Sequence, residues 1–203
     1  MEEPASLIKL EEEIPAYFTM SNERLILIAR VREETVFFYD SIDRNTTIVL
    51  LAQPSCYALK RVFLEVMNDM GATVIDLKEK ETFDPSYKIS DKSRKIITTL
   101  INDYTYDKII THPRYPKDND SQNRALFELA SNLIKSVGTD NHYTYNKIGI
   151  NGNPKMPCKT KRGILELYSS LATDNKEIAK EMFQNYLNIT ANISGLRRVT
   201  RSE

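Results

Sequence analysis

From residue 24 onward, apolar runs alternate with stretches of helical periodicity. Residues 25–29 (LILIA) are apolar without a break, and 46–52 (TTIVLLA), 72–77 (ATVIDL), 108–111 and 146–150 form further short runs. Runs of this length and composition predict strands buried on both faces. Between them, residues 34–41, 54–70, 91–104 and 122–136 predict helices, although 35–39 (TVFFY) would also suit a strand, and 160–172 and 175–187 predict two more before the end of the chain. Leu59, Phe63, Val66 and Met70 recur at helical spacing, and Gly71 is placed to close that helix. Residues 112–121 read as a loop, and His142 as a polar-loop residue. Strand–helix alternation with short connections predicts a mostly parallel sheet covered by helices, a three-layer α/β sandwich. The acidic, proline-broken residues 1–22 read as an extension, 23–190 as one α/β domain, and 191–203, with three arginines, as a basic tail.

The first strand ends abruptly. Arg30-Val31-Arg32-Glu33-Glu34 follows it, four charges in five residues. Open α/β sheets place their ligands at this carboxyl edge. Charges there are costly unless they pair or bind something. The loop after the fourth strand, Thr111-His112-Pro113-Arg114 to Asp118, Asp120 and Asn123, falls on the same edge.

Composition removes several classes of function. The chain has 203 residues, 41% of them apolar, and its 28 basic and 28 acidic residues cancel. Neutrality gives no bulk reason to expect a nucleic acid or a membrane as partner. No apolar stretch reaches the roughly 18 residues of a membrane span. The acidic start, Met1-Glu2-Glu3-Pro4, lacks the features of a secretory signal, and two cysteines make no disulfide framework. A cytoplasmic protein is the expectation. Two distant histidines and no cysteine pair give no local zinc spacing, and no Walker loop, dinucleotide fingerprint or nucleophile elbow is present. In the segment Lys161 to Ser170 (KRGILELYSS), Ile164, Leu165 and Tyr168 share one helical face, which reads first as core packing.

Taken in order, these segments resemble the PIG-L/LmbE-like family of zinc-dependent N-deacetylases, which includes N-acetylglucosaminyl-phosphatidylinositol de-N-acetylase. The family's first motif, A-H-P-D-D-E after an apolar strand, corresponds to Ala29 through Glu34. Its second, H-P-D-H-R-A, corresponds to Asp120 through Ala125, and K-x-x-A-L-x-x-Y-x-S-Q to Lys161 through Leu171. The resemblance spans about residues 24–171 and implies a Rossmann-like fold with core strand order 3-2-1-4-5, counted from the strand at 25–29.

The departures fall on the chemistry. The resemblance places Arg30, Glu33 and Asn123 where the family holds zinc, Arg32 where it has a catalytic base, and Asp120 where it has a histidine at the reaction centre. Arginine stays protonated and has no lone pair for a metal. The expectation is therefore a catalytically inactive homologue without a cofactor. In it Arg30 takes the cation's place, paired with Glu33 and Asp120, or forms with Arg32 an anion pocket. His112 and Lys161 join the binding positions, and the partner is a glycan, an anionic small molecule or another protein. The alternative is an active N-deacetylase that gathers zinc from Glu33, Asp118, Asp120 and His112. A third reading is an unrelated α/β binding protein.

Overall fold

A computed structural model describes residues 7–8, 23–31, 41–53, 57–113, 120–147, 159–191 and 193–200. The strands are β1 (Leu7–Ile8), β2 (Arg24–Ile28), β3 (Thr46–Gln53), β4 (Thr73–Lys80), β5 (Lys108–Thr111), β6 (His142–Lys147) and β7 (Ile193–Arg198). The helices are α1 (Tyr57–Asp69), α2 (Asp91–Asp103), α3 (Ser121–Val137), α4 (Lys159–Ala172) and α5 (Lys176–Ala191). One seven-stranded sheet runs in the order β1-β4-β3-β2-β5-β6-β7. All pairings are parallel except β6 with β7. The five predicted strands are β2 to β6, and their order is the expected 3-2-1-4-5.

The unbroken apolar runs follow from burial on both faces. Along β2, Ile26 and Ile28 face a core built with Phe63 and Met67 of α1, Leu165 and Tyr168 of α4 and Leu187 of α5. Leu25 and Leu27 face the opposite core, built with Ile97 and Leu100 of α2 and Leu126 and Ala130 of α3. Successive strand side chains point to opposite faces, so a strand between two helical layers needs apolar residues at every position. Leu165 and Tyr168 confirm the packing role expected for that helix face.

Three expectations change. Residues 191–203 are not simply a basic tail, because Ile193–Arg198 pairs antiparallel with β6. There Arg198 donates to the Tyr143 hydroxyl and lies 3.4 Å from Asp140, so its charge sits on a strand edge. The fifth predicted strand is shifted towards the N-terminus, to His142–Lys147. His142 is consequently a buried strand residue rather than a loop residue, flanked by the hydroxyls of Thr111 (2.7 Å) and Ser131 (3.3 Å). Within the N-terminal extension, Leu7–Ile8 adds an edge strand beside β4. The helix predicted at 34–41 lies almost wholly outside the described residues.

The order places β2 at a turning point. From β2 the chain proceeds through β3 and β4 on one side, then crosses to β5 on the other. The crevice beyond the carboxyl ends of β2 and β5 is where such sheets bind ligands.

Candidate functional site at the carboxyl edge

Arg30 stands two residues beyond the end of β2 and is only 3% exposed. Across the crevice, Asp120 precedes α3 and is 4% exposed. The Arg30 guanidinium donates through Nη2 to Asp120 Oδ2. Asp120 has a second duty as the N-cap of α3. Its Oδ1 accepts from the backbone N–H of Asn123 at 3.1 Å. Asn123 also donates through Nδ2 to Asp120 Oδ2, at 2.8 Å. Asp is a favoured N-cap because its carboxylate accepts the otherwise unpartnered backbone N–H of the second or third helical residue, here Asn123. Capping therefore fixes the carboxylate that receives Arg30.

A second carboxylate approaches from β4. Beyond Lys80 the chain continues as a strap, Glu81 to Phe83, and Glu81 Oε1 lies 3.7 Å from Arg30 Nη1. Phe83 lays its ring over the guanidinium, 4.5 Å from Cζ to the ring centroid, although the residue is 59% exposed. Gln122, fully buried in the first turn of α3, fastens the strap. Its amide donates to Lys80 O at 3.1 Å and accepts from Thr82 N at 3.2 Å.

His112, directly after β5, is buried edge-on to Tyr145, with ring centroids 5.3 Å apart. Burial, helped by the positive charge of Arg30, pushes its pKa down to about 3, so the imidazole is neutral at physiological pH. The sign of the linkage is definite. The unfolded chain binds this proton below about pH 6.5 and the folded chain only below about 3, so stability falls as pH falls through that window. Wild-type protein is expected to lose melting temperature steadily from about pH 6.5 towards 4, and His112→Gln to lose less over the same range. Parallel melting curves for the two would contradict the buried neutral imidazole.

The structure thus brings together Arg30, Asp120, Asn123 and His112 of the predicted residues. Arg32, Glu33 and Asp118 lie outside the described residues. Lys161 falls in α4, but its side chain lies outside them too. Glu81, Phe83 and Gln122 were not anticipated. The loop after β4 carries Phe83, Tyr87 and Ile89 among its polar residues, and nothing local marks Phe83 for this contact. A separate cleft of about 460 Å³ lies at the amino ends of the strands, lined by Ser131, Ile134, Lys135, His142 and Val199, away from Arg30. A half-buried ion pair, Lys60 to Asp76, ties α1 to β4 on the far side of β3.

Zinc, the metal implied by the resemblance, does not fit the described residues at this crevice. A guanidinium offers no lone pair and holds Asp120 in an ion pair. Two like unit charges about 4 Å apart repel by roughly 4 kcal/mol at an effective dielectric of about 20, and a divalent ion doubles that. Among the described residues, no three of His, Cys, Asp or Glu gather to hold a metal ion. Among them also, no helix is long and apolar enough to cross a membrane.

No protein-family model matches the chain, and no curated protein matches it by sequence. Solved structures do share its fold. N,N'-diacetylchitobiose deacetylase from Pyrococcus horikoshii, complexed with its inhibitor, superposes with a TM-score of 0.59 at 11% identity, over 87% of this chain and 84% of that one. A conserved protein from Thermus thermophilus superposes with a TM-score of 0.53 at 9% identity, over 88% of this chain and 94% of that one. The chain has a deacetylase-like α/β fold.

Proposed function

We propose that this chain is a catalytically inactive relative of the zinc-dependent N-deacetylases, which keeps the ligand crevice of that fold as a binding module. One observation carries the reading: a buried guanidinium, Arg30, is ion-paired with Asp120 at the switch point of the sheet. The motif resemblance sets Arg30 at a metal-ligand position and Asp120 at the reaction-centre position. In that seat Arg30 supplies the positive charge that a metal supplies in an active enzyme, but it cannot acidify a water. Arg32, at the position of the lost base, cannot accept a proton from one. What remains is a shaped, charged crevice suited to a glycan or an anionic small molecule.

The test is hydrolysis. With zinc added, the purified protein is expected to release no acetate from N,N'-diacetylchitobiose or other N-acetylglucosamine conjugates above a protein-free blank. Release of acetate that disappears in Glu33→Ala would overturn the reading in favour of an active enzyme using Glu33, Asp118, Asp120 and His112.

A further inference from the structure

We propose that the Glu81–Phe83 strap is an autoinhibitory plug, occupying the side of Arg30 that takes the carboxylate of a small-molecule ligand. The proposal rests on the binding-module reading and adds the ligand's class and the device that controls access to it.

Three contacts support it. Asp120 takes Nη2 of the guanidinium and is itself fixed by Asn123, so this side of the pair is part of the framework. Nη1 instead faces Glu81 at 3.7 Å, an ion pair too long to be a hydrogen bond. The guanidinium fork is shaped for two parallel bonds to a planar carboxylate, and Glu81 fills that role with poor geometry. Phe83 covers the flat face from outside while most of its own surface stays in water. An exposed aromatic ring held over a buried cation is a cover whose removal disturbs no core packing. The Gln122 amide holds the backbone at Lys80 O and Thr82 N, on either side of Glu81, so the strap is anchored at its base and opening requires the Glu81 and Phe83 side chains to turn out from it.

Among the described residues, charge favours one ligand class. The described side chains meeting at the guanidinium are one cation, Arg30, and two carboxylates, Asp120 and Glu81. If the Glu81 side chain turns out, it carries its charge into water and one monoanion replaces it with no change in local charge. A phosphate dianion adds a further negative charge beside buried Asp120, which is costly. The favoured ligand is therefore a monocarboxylate, such as a sugar acid, held by Arg30 on the side away from Asp120.

The experiment titrates sodium glucuronate and inorganic phosphate into ¹⁵N-labelled protein and follows the Arg Nε–Hε resonances. Arg30 is assigned by its loss in Arg30→Met/Asp120→Asn. Glu81→Gln and Phe83→Ala are each expected to tighten glucuronate binding at Arg30 by roughly tenfold, since each removes a competing contact. The double variant without Arg30 is expected not to bind. Phe83→Ala removes an exposed ring, so it keeps the proposal testable if Glu81→Gln folds poorly. Glucuronate binding that is absent throughout, or unchanged by both strap variants, overturns the plug. Phosphate tightened as much as glucuronate overturns the ligand class. Acetate release or bound zinc defeats the binding-module reading whatever glucuronate does, whereas glucuronate indifference in a zinc-free, inactive protein defeats the plug alone.

Discussion

Arg30→Met is expected to lower the unfolding free energy by about 3 kcal/mol, near the bottom of the range for breaking a buried ion pair. The loss comes from Asp120, which would remain buried beneath α3 without its cation. It falls at the lower end because the backbone N–H and side-chain amide of Asn123 still donate to that carboxylate. For a chain of this size the change corresponds to a fall of roughly 6–12 °C in melting temperature. The companion variant separates charge from shape. In Arg30→Met/Asp120→Asn the buried charge of Asp120 is gone, leaving only the more exposed Glu81 without its cation, and asparagine is as good an N-cap as aspartate. The double variant is expected to recover most of the loss, because replacing both members of a buried pair is often nearly neutral. Urea denaturation of the four proteins in the cycle measures this directly. A single variant within about 0.5 kcal/mol of wild type would mean that Arg30 is not held by a buried carboxylate.

Arg30→His/Asn123→His is expected to gain what the wild type lacks. The resemblance assigns both positions to metal ligands, with Glu33 as the third, and zinc needs about three protein ligands with neutral imidazoles among them. The change removes the repelling guanidinium and releases Asp120 from its ion pair. The variant is expected to bind about one zinc per chain and to be stabilised by added zinc, as any ligand of the folded state stabilises it. A variant that folds but takes up no zinc would show that the crevice has lost the shape of a metal site as well as its ligands.

The sheet was legible because burial on both faces leaves an unmistakable trace. Residues 25–29 and 46–52 have no polar interruption long enough to reach solvent, and the chain order of strands and helices follows. The last core strand was misplaced for a physical reason. His142-Tyr143-Thr144-Tyr145 looks polar, yet Thr144 and Tyr145 are buried and His142 meets Thr111 and Ser131 through hydrogen bonds. The isoleucines at 148 and 150 drew the prediction away from it. The last strand was obscured in the same way, since arginines on a sheet edge resemble a solvated tail.

The site was legible in part. Arg30 announced itself as a charge directly after a buried strand, and Asp120 and Asn123 through their place in the loop at the same edge and in the second motif; the capping role of Asp120 was not anticipated. The partner supplied by β4 was not legible. Glu81 and Phe83 sit in a polar loop with no periodicity, and only the crossing of the chain from β4 to β5 brings that loop over Arg30. Pairings made by topology, between residues distant in sequence, leave no local pattern.

The most direct test of the central claim is the zinc content of the wild-type protein, purified, incubated with excess zinc, desalted and analysed for metal against protein. A guanidinium seated in place of the cation predicts no stoichiometric zinc, with Arg30→His/Asn123→His holding about one per chain in the same experiment. One zinc per wild-type chain would contradict the account.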